Sequence, residues 1–272
     1  ASHVRMPPDA PGDARTPRNP DPVRETLFIS DLHLSPERPQ TVRLFADFCQ
    51  TRAPRAEALY VVGDLFDAWI GDDNDMPHLP EIRATLKGIS DAGTDIFVQH
   101  GNRDFLIGER FCAQTGAVVL PEEAVVDLFG TPTLLMHGDT LCTDDHAYQE
   151  ARRMLRAVPV IRDFLAKPLA ERAAIAAEYR RRSGEAVSLL AADIMDVNAD
   201  AVVAAMSRHG VRRLIHGHTH REARHEFDHA GLEMERIVLG EWHPDRGPYL
   251  AVSRDSLESG IWRPRTEPAR DA

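Results

Sequence analysis

The sequence predicts an α/β fold: two sheets packed face to face with helices outside them, a four-layer α/β/β/α sandwich that carries a helical insertion as a lid. Three observations predict it. Short apolar runs alternate with helical patterns through the first part of the chain, which suggests parallel strands joined by helical crossovers. Those runs end in polar blocks, SDLH, GDLF and HGNRD, at the strand edge where open α/β folds bind ligands. One long stretch, about residues 145–196, has no strand signal at all.

Taken in order, residues 26–30 (TLFIS), 58–62 (ALYVV) and 95–99 (DIFVQ) predict the first three strands. Helical patterns over residues 41–51 and 79–92 lie between them. Residues 124–129 and 133–136 predict a strand pair around Gly130, Thr131 and Pro132. Residues 213–216, 223–227, 233–239 and 249–253 predict short strands of a second, mixed sheet. The strandless stretch reads as helices over residues 147–157, 169–182 and 185–193, both basic and apolar in composition. Two roles suit it: an ordinary cap packed on the sandwich, or a surface for an amphipathic anionic partner such as a phosphate-bearing lipid. Residues 1–24 are rich in Pro, Asp and Arg and read as a disordered tail; residues 25–262 form the domain, and residues 263–272 read as a loose tail.

Composition narrows the function. A formal net charge of -11 argues against general nucleic-acid binding. No run approaches the roughly 18 apolar residues of a membrane span. Cys49, Cys112 and Cys142 are far apart and lack CxxC spacing, which fits a reducing cytosol and excludes a zinc ribbon.

Five blocks carry metal-binding groups: Asp31-Leu32-His33, Gly63-Asp64, Gly101-Asn102-Arg103, His137-Gly138-Asp139 and Gly217-His218-Thr219-His220. Alone, each has an ordinary explanation. Asp31 or Asp64 reads as a helix cap or turn residue, and His137 as a core histidine. Together they supply two Asp, one Asn and four His, enough for two divalent cations. Asp31 and His33 stand two residues apart at a strand end, as do His218 and His220, so each pair should point to one side. The first cation takes Asp31, His33, Asp64 and His220. The second takes Asp64, Asn102, His137 and His218, with Asp64 bridging through its two oxygens. Such donors suit Mn, Fe or Zn. Two such ions about 3.5–4 Å apart lower the pKa of a shared water and screen phosphoryl charge, which points to phosphoester hydrolysis. Asp139 and Asp67 are expected to orient imidazole N–H groups. His216, His225, His229 and His243 lack such blocks and read as structural or surface residues.

The order D-x-H, G-D, G-N-[RH], H-G-D and G-H-x-H resembles the calcineurin-like metallophosphoesterases. Longer stretches, SDLHL, GDLFDAWIGDD, HGNRDFLIG, HGDTLCTDDHAYQ, IMDVN and IHGHTHR, are similar to the UDP-2,3-diacylglucosamine hydrolase family of lipid A biosynthesis. The resemblance spans about residues 26–262. It implies hydrolysis of UDP-2,3-diacylglucosamine to UMP and 2,3-diacylglucosamine 1-phosphate (lipid X), with two Mn ions on the ligands above. It further implies catalytic roles for Asp64, Asn102, Arg103, His137 and His218. Substrate would meet Asn102, Arg103, His218, Asp145, Tyr148, Ser183 and Met195. A cytoplasmic enzyme peripheral on the inner membrane follows, with no nucleic acid and no obligate protein partner. One departure is visible: Val187 and Leu190 stand where polar side chains are expected. Arg103 also replaces the His that many relatives carry after the GN pair, and an arginine cannot donate a proton near neutral pH. A diphosphate, whose leaving group is a weakly basic phosphate with a second pKa near about 6, fits that residue better than an alkyl ester does. A phosphoesterase of soluble nucleotides and a non-catalytic scaffold of the same fold are the competing readings.

Overall fold

A computed structural model describes residues 25–189 and 196–265, with the backbone alone for residues 180 and 182–189. The chain runs β1 (Glu25–Ile29), α1 (Pro39–Thr51), β2 (Ala58–Val62), α2 (Leu79–Asp91), β3 (Asp95–Gln99), α3 (Glu109–Thr115), β4 (Ala117–Val119), β5 (Ala124–Leu128) and β6 (Thr131–Leu135). It continues with α4 (His146–Leu155), α5 (Val158–Leu165), α6 (Leu169–Leu189), α7 (Ala199–His209), β7 (Arg213–His216), β8 (Ala223–His229), β9 (Leu232–Val238), β10 (Gly247–Ser253) and β11 (Leu257–Trp262).

Two sheets form, ordered β11-β10-β1-β2-β3-β4 and β5-β6-β7-β9-β8. Strands β1 to β4 are parallel, and β10 joins β1 antiparallel with Phe28 opposite Leu250. The parallel strands are apolar on both faces because both faces are covered. One face of the first sheet (Leu27, Ile29, Leu59, Val61) packs on α1 and α2 through Phe45, Phe48, Ile82 and Leu86. The other (Phe28, Val62, Leu250) packs on Leu135, Ile215 and Ile237 of the second sheet. The far face of the second sheet (Leu134, Leu214, Met234) packs on Val202 and Met206 of α7. Helix, sheet, sheet, helix: the four-layer sandwich is as expected.

Three expectations change. The strand at residues 249–253 belongs to the first sheet, where β10 and β11 form a C-terminal hairpin on β1. The two helices expected over residues 169–182 and 185–193 run as one helix, α6, across Gly184 as far as Leu189, and residues 190–193 lie outside the described residues. A single glycine costs about 1 kcal/mol against alanine in a helix, and the flanking Ala, Arg and Glu residues tolerate it. Elements α3, α5, α7, β4 and β11 had no counterpart among the expected segments.

The insertion, α4 to α6, contains no buried large apolar side chain of its own in α4 or α5. Its main anchor in α6 is Arg172, which is only 3% exposed. The Arg172 guanidinium forks onto both carboxylate oxygens of Asp73 and also donates to the Ile70 carbonyl. Its Nε–H donates to the Lys167 carbonyl at 3.0 Å. The side chain thus pins α6 to the loop after β2. Arg172→Ala should raise the rate of limited proteolysis within α6 several-fold and lower the melting temperature by only a few degrees. An unchanged digestion pattern would show that the clamp does not hold the helix.

Candidate metal centre

The five blocks lie in the loops after β1, β2, β3, β6 and β7. In these loops the backbone takes an uncommon form. Asp31, His33, Asp64, His218 and His220 have φ values of 55, 48, 52, 67 and 57°. They are five of the eight non-glycine residues with positive φ among the described residues. Each such residue costs roughly 1–2 kcal/mol, least for Asp, Asn and His. The i, i+2 pairs therefore do not converge by strand alternation, as expected, but by left-handed turns beyond the strand ends.

Hydrogen bonds between loops hold those turns. The N–H groups of Leu32 and His33 both donate to the Asp64 carbonyl, at 2.9 and 3.0 Å. Asp31 receives His218 N–H at 3.0 Å and Ser30 Oγ–H at 2.6 Å on Oδ2 alone. Asp64 receives Arg103 N–H at 2.8 Å on Oδ1. Glycines permit the approach. A Cβ on Gly217 would overlap Ser30 and the Asp31 carboxylate, and one on Gly101 would overlap the Asp64 carboxylate.

All seven expected donors come together. His137 Nε2 is 3.6 Å from Asp64 Oδ2 and 3.1 Å from Asn102 Oδ1. His218 Nδ1 is 3.1 Å from the same Asn102 oxygen. On the other side, Asp31 Oδ1 faces His220 Nε2 at 3.3 Å, and His33 Nε2 lies 3.4 Å from His220 Nε2. His33 Nδ1 is 3.9 Å from Asp64 Oδ2. Asp64 stands between the two groups as expected. Its Oδ2 faces His33 and His137, and its Oδ1 accepts the Arg103 N–H. Arg103 itself is half-buried at the rim.

The donor set fits divalent cations on a direct test. His137 Nδ1 is 3.0 Å from the Val62 carbonyl, which can only accept, so the ring donates there and in the neutral imidazole Nε2 is the lone pair. That lone pair faces the Asn102 carbonyl oxygen, another acceptor. His33 Nδ1 is buried with no hydrogen-bond partner, and Asp31 Oδ1 is buried with only the His220 ring nitrogen beside it, at 3.3 Å. Acceptors turned toward each other in a buried site are stable only around positive charge.

The site's electrostatics agree. Burial pushes Asp64 up to about 7, against the pull of His137. Burial pushes His33 down to about 4, and burial with His137 pushes His218 down to about 3. Burial also works against His220, but hydrogen bonds to Asp31 and Glu241 prevail and push it up to about 10. Burial likewise opposes Asp31, yet the His220 hydrogen bond and three nearby imidazoles hold it well below the usual carboxylate range. Crowded like and unlike charges thus split the ligands to both sides of neutrality.

Other expected residues land differently. Asp139 accepts from Tyr148 Oη at 2.8 Å and from Arg152 Nε at 2.6 Å, so it anchors α4. The orienting group on His137 is the Val62 carbonyl instead. Asp67 is half-buried, and its N–H donates to the Leu34 carbonyl at 3.2 Å. Asp145 caps α4 by accepting Tyr148 N–H at 2.9 Å. The Tyr148 ring lies 5.9 Å from that of His218, at the edge of the site. Ser183 lies in α6, but its side chain is outside the described residues, as Met195 is entirely. Sequence reasoning missed Ser30, Asp104, Arg152, Arg156 and Glu241. Asp104 is fully buried and joins two ligand loops by accepting Gly101 N–H at 2.8 Å and Phe66 N–H at 3.3 Å. Arg156 donates to the Gly101 carbonyl at 2.8 Å. Ser30 and Asp104 sit inside the SDLH and NRD blocks, so proximity was a signal for them. Nothing in the spacing marks the other three.

A methyl group on Gly217 should displace the Asp31 carboxylate. Gly217→Ala is expected to weaken Mn²⁺ binding by on the order of tenfold or more, measured by equilibrium dialysis, with the circular dichroism spectrum retained. Wild-type metal content in the folded variant would refute the packing account.

A calcineurin-like phosphoesterase family model matches residues 25–222. The UDP-2,3-diacylglucosamine hydrolase of Pseudomonas paraeruginosa is 50% identical over 216 residues, covering 79% of this chain and 90% of that protein. The proteins of the same name from Salmonella typhi and Serratia proteamaculans are 50% and 49% identical over 233 residues, covering 86% of this chain and 97% of theirs. With its donor loops at the strand ends of a four-layer sandwich, the chain belongs to the calcineurin-like phosphoesterase family, in the part of it that these hydrolases occupy.

Proposed function

We propose that this chain hydrolyses the pyrophosphate bond of UDP-2,3-diacylglucosamine, releasing UMP and 2,3-diacylglucosamine 1-phosphate (lipid X) for lipid A biosynthesis. The observation that carries this is the convergence of seven donors in a chain half identical to hydrolases named for that substrate. Asp31, His33, Asp64 and His220 would hold one divalent cation, and Asp64, Asn102, His137 and His218 a second. Carboxylate, amide and imidazole donors suit Mn, which is our assignment. When bound, such a pair supplies a water of lowered pKa and neutralises charge on phosphoryl oxygens.

The chain's own groups do the rest. Arg103 N–H is fixed to Asp64, so its side chain starts at the edge of the donor cluster. Its guanidinium holds developing charge on the phosphoryl group and donates no proton. None is needed, because the phosphate that leaves is a weak base near neutrality. Asn102 and His218 orient the phosphate from the other side.

The insertion supplies the lipid end. A cleft of about 560 Å³ lies between α6 and the loops after β1 and β2, lined by Ile70, Met76, Leu169, Ala173 and Ala176 among others. That volume is in the usual range for a ligand site, and its lining suits acyl chains. The outer surface of the insertion exposes Met154 (61%), Val158 (79%) and Leu165 (40%) beside Arg153 and Arg162. Among the described residues no helix is long and apolar enough to cross a membrane. Basic residues beside exposed apolar ones suit the anionic surface of the inner membrane instead, where the substrate resides.

UMP release from UDP-2,3-diacylglucosamine, compared with cyclic nucleotides and dinucleoside polyphosphates, tests the substrate; preference for a soluble nucleotide would overturn it. Arg103→His is expected to lower kcat about 10²-fold on the lipid diphosphate. Unchanged turnover would remove Arg103 from the chemistry. Glutamate at Val158 and Leu165 should abolish flotation with anionic vesicles and raise KM for the lipid substrate. If both stay at wild-type values, the insertion does not meet the membrane.

A further inference from the structure

We propose that Glu241 is a positioning residue for the metal centre, fixing the tautomer and rotation of His220. This rests on the dinuclear reading above and adds a residue that the ligand blocks do not contain.

His220 is the ligand most in need of such a partner. Its side chain is 28% exposed, whereas those of Asp31, His33, Asp64 and His137 are 0, 9, 3 and 2% exposed. Packing therefore restrains it less than those four. Its Nε2 points inward, toward Asp31 Oδ1 at 3.3 Å. Its Nδ1 points outward, to Glu241 Oε2 at 3.1 Å. A neutral imidazole carries one N–H and one lone pair. An ionised carboxylate only accepts, so Glu241 keeps the Nδ1–H in place, and when a cation takes the place of the Nε2 proton that faces Asp31, it is the Nε2 lone pair that meets it. His137 obtains the same result from the neutral Val62 carbonyl. Glu241 supplies a full negative charge, which also raises the donor strength of the ring.

Glu241 is itself held in place. Arg38 Nη1 lies 3.5 Å from Glu241 Oε1, and Arg38 Nη2 donates to the neighbouring Trp242 carbonyl at 2.6 Å. The Trp242 indole is fully buried against Phe45 and Phe48. Its backbone N–H donates to the carbonyl of Asp31, itself a ligand, at 3.1 Å. The loop after β9 is thus nailed to the core on one side and to the ligand loop after β1 on the other. His243 Nε2, 3.6 Å from Glu241 Oε2, is a weaker neighbour.

The test compares wild type, Glu241→Ala and Glu241→Gln by equilibrium dialysis against Mn²⁺, with thermal melts to confirm folding. Wild type should bind two ions. Glu241→Ala should bind one of them on the order of 10–100-fold more weakly and leave the other unchanged. Glu241→Gln keeps an acceptor for Nδ1–H and should recover most of the loss. Wild-type affinity for both ions in the Ala variant would overturn the proposal, as would a Gln variant no better than Ala. Wild type that binds no metal would instead defeat the dinuclear reading itself, so the two failures are distinct.

Discussion

Close approach of ligand side chains to glycine backbone is the constraint on which this centre depends. Asp31 presses on Gly217, the neighbour of His218. Asp64 presses on Gly101, the neighbour of Asn102, and His137 presses on Gly63, the neighbour of Asp64. Each ligand is thus seated against the residue that precedes another ligand. The loops interlock, and none can take its position without the next. This explains how five residues persist with positive φ. Strain of a few kcal/mol is tolerated where the surroundings determine the backbone several times over.

The same interlock sets the electrostatics. Two carboxylates with one oxygen tied to backbone N–H and the other turned inward cannot relax away from each other. Four imidazoles share the space, and two of them, His33 and His137, are buried. Burial pulls ionisable groups toward neutrality, while unlike neighbours pull them toward charge. The outcome is a set of ligands already short of positive charge in their folded geometry. Cation binding therefore relieves a cost that folding has already incurred.

Much of this was legible in the sequence, for identifiable reasons. Strands β2, β3 and β7 match their expected ranges because buried parallel strands are short apolar runs with sharp polar ends. The seven donors were legible because each sits next to a glycine or at i, i+2 from another donor. Their mode of convergence was not, since left-handed turns leave no periodic trace. Strand β10 was assigned to the wrong sheet, without its hairpin partner β11, because strand patterns do not name their partners. Glu241 escaped notice, and the contacts of Arg152 and Arg156, read only as part of the insertion's basic character, were not foreseen, for a related reason. They reach the site through packing between segments far apart in the chain, and isolated charged residues look like solvated surface.

Arg103 shows how backbone geometry and reaction class are linked. Its N–H is bound to Asp64 Oδ1, and its carbonyl accepts Trp69 N–H at 3.0 Å. Two residues before it, the Gly101 carbonyl is held by Arg156 from α4. The loop after β3 is therefore fixed by the ligand loop on one side and by the insertion on the other. A proton donor at position 103 would serve an alkoxide leaving group. The arginine in that place carries a charge that does not titrate near neutrality and offers no proton. The insertion that braces this loop also frames the apolar cleft. One insertion thus both braces a ligand loop, through Arg156, and frames an apolar cleft, through α6, and on the proposed reading it serves both the diphosphate and the lipid end of the substrate.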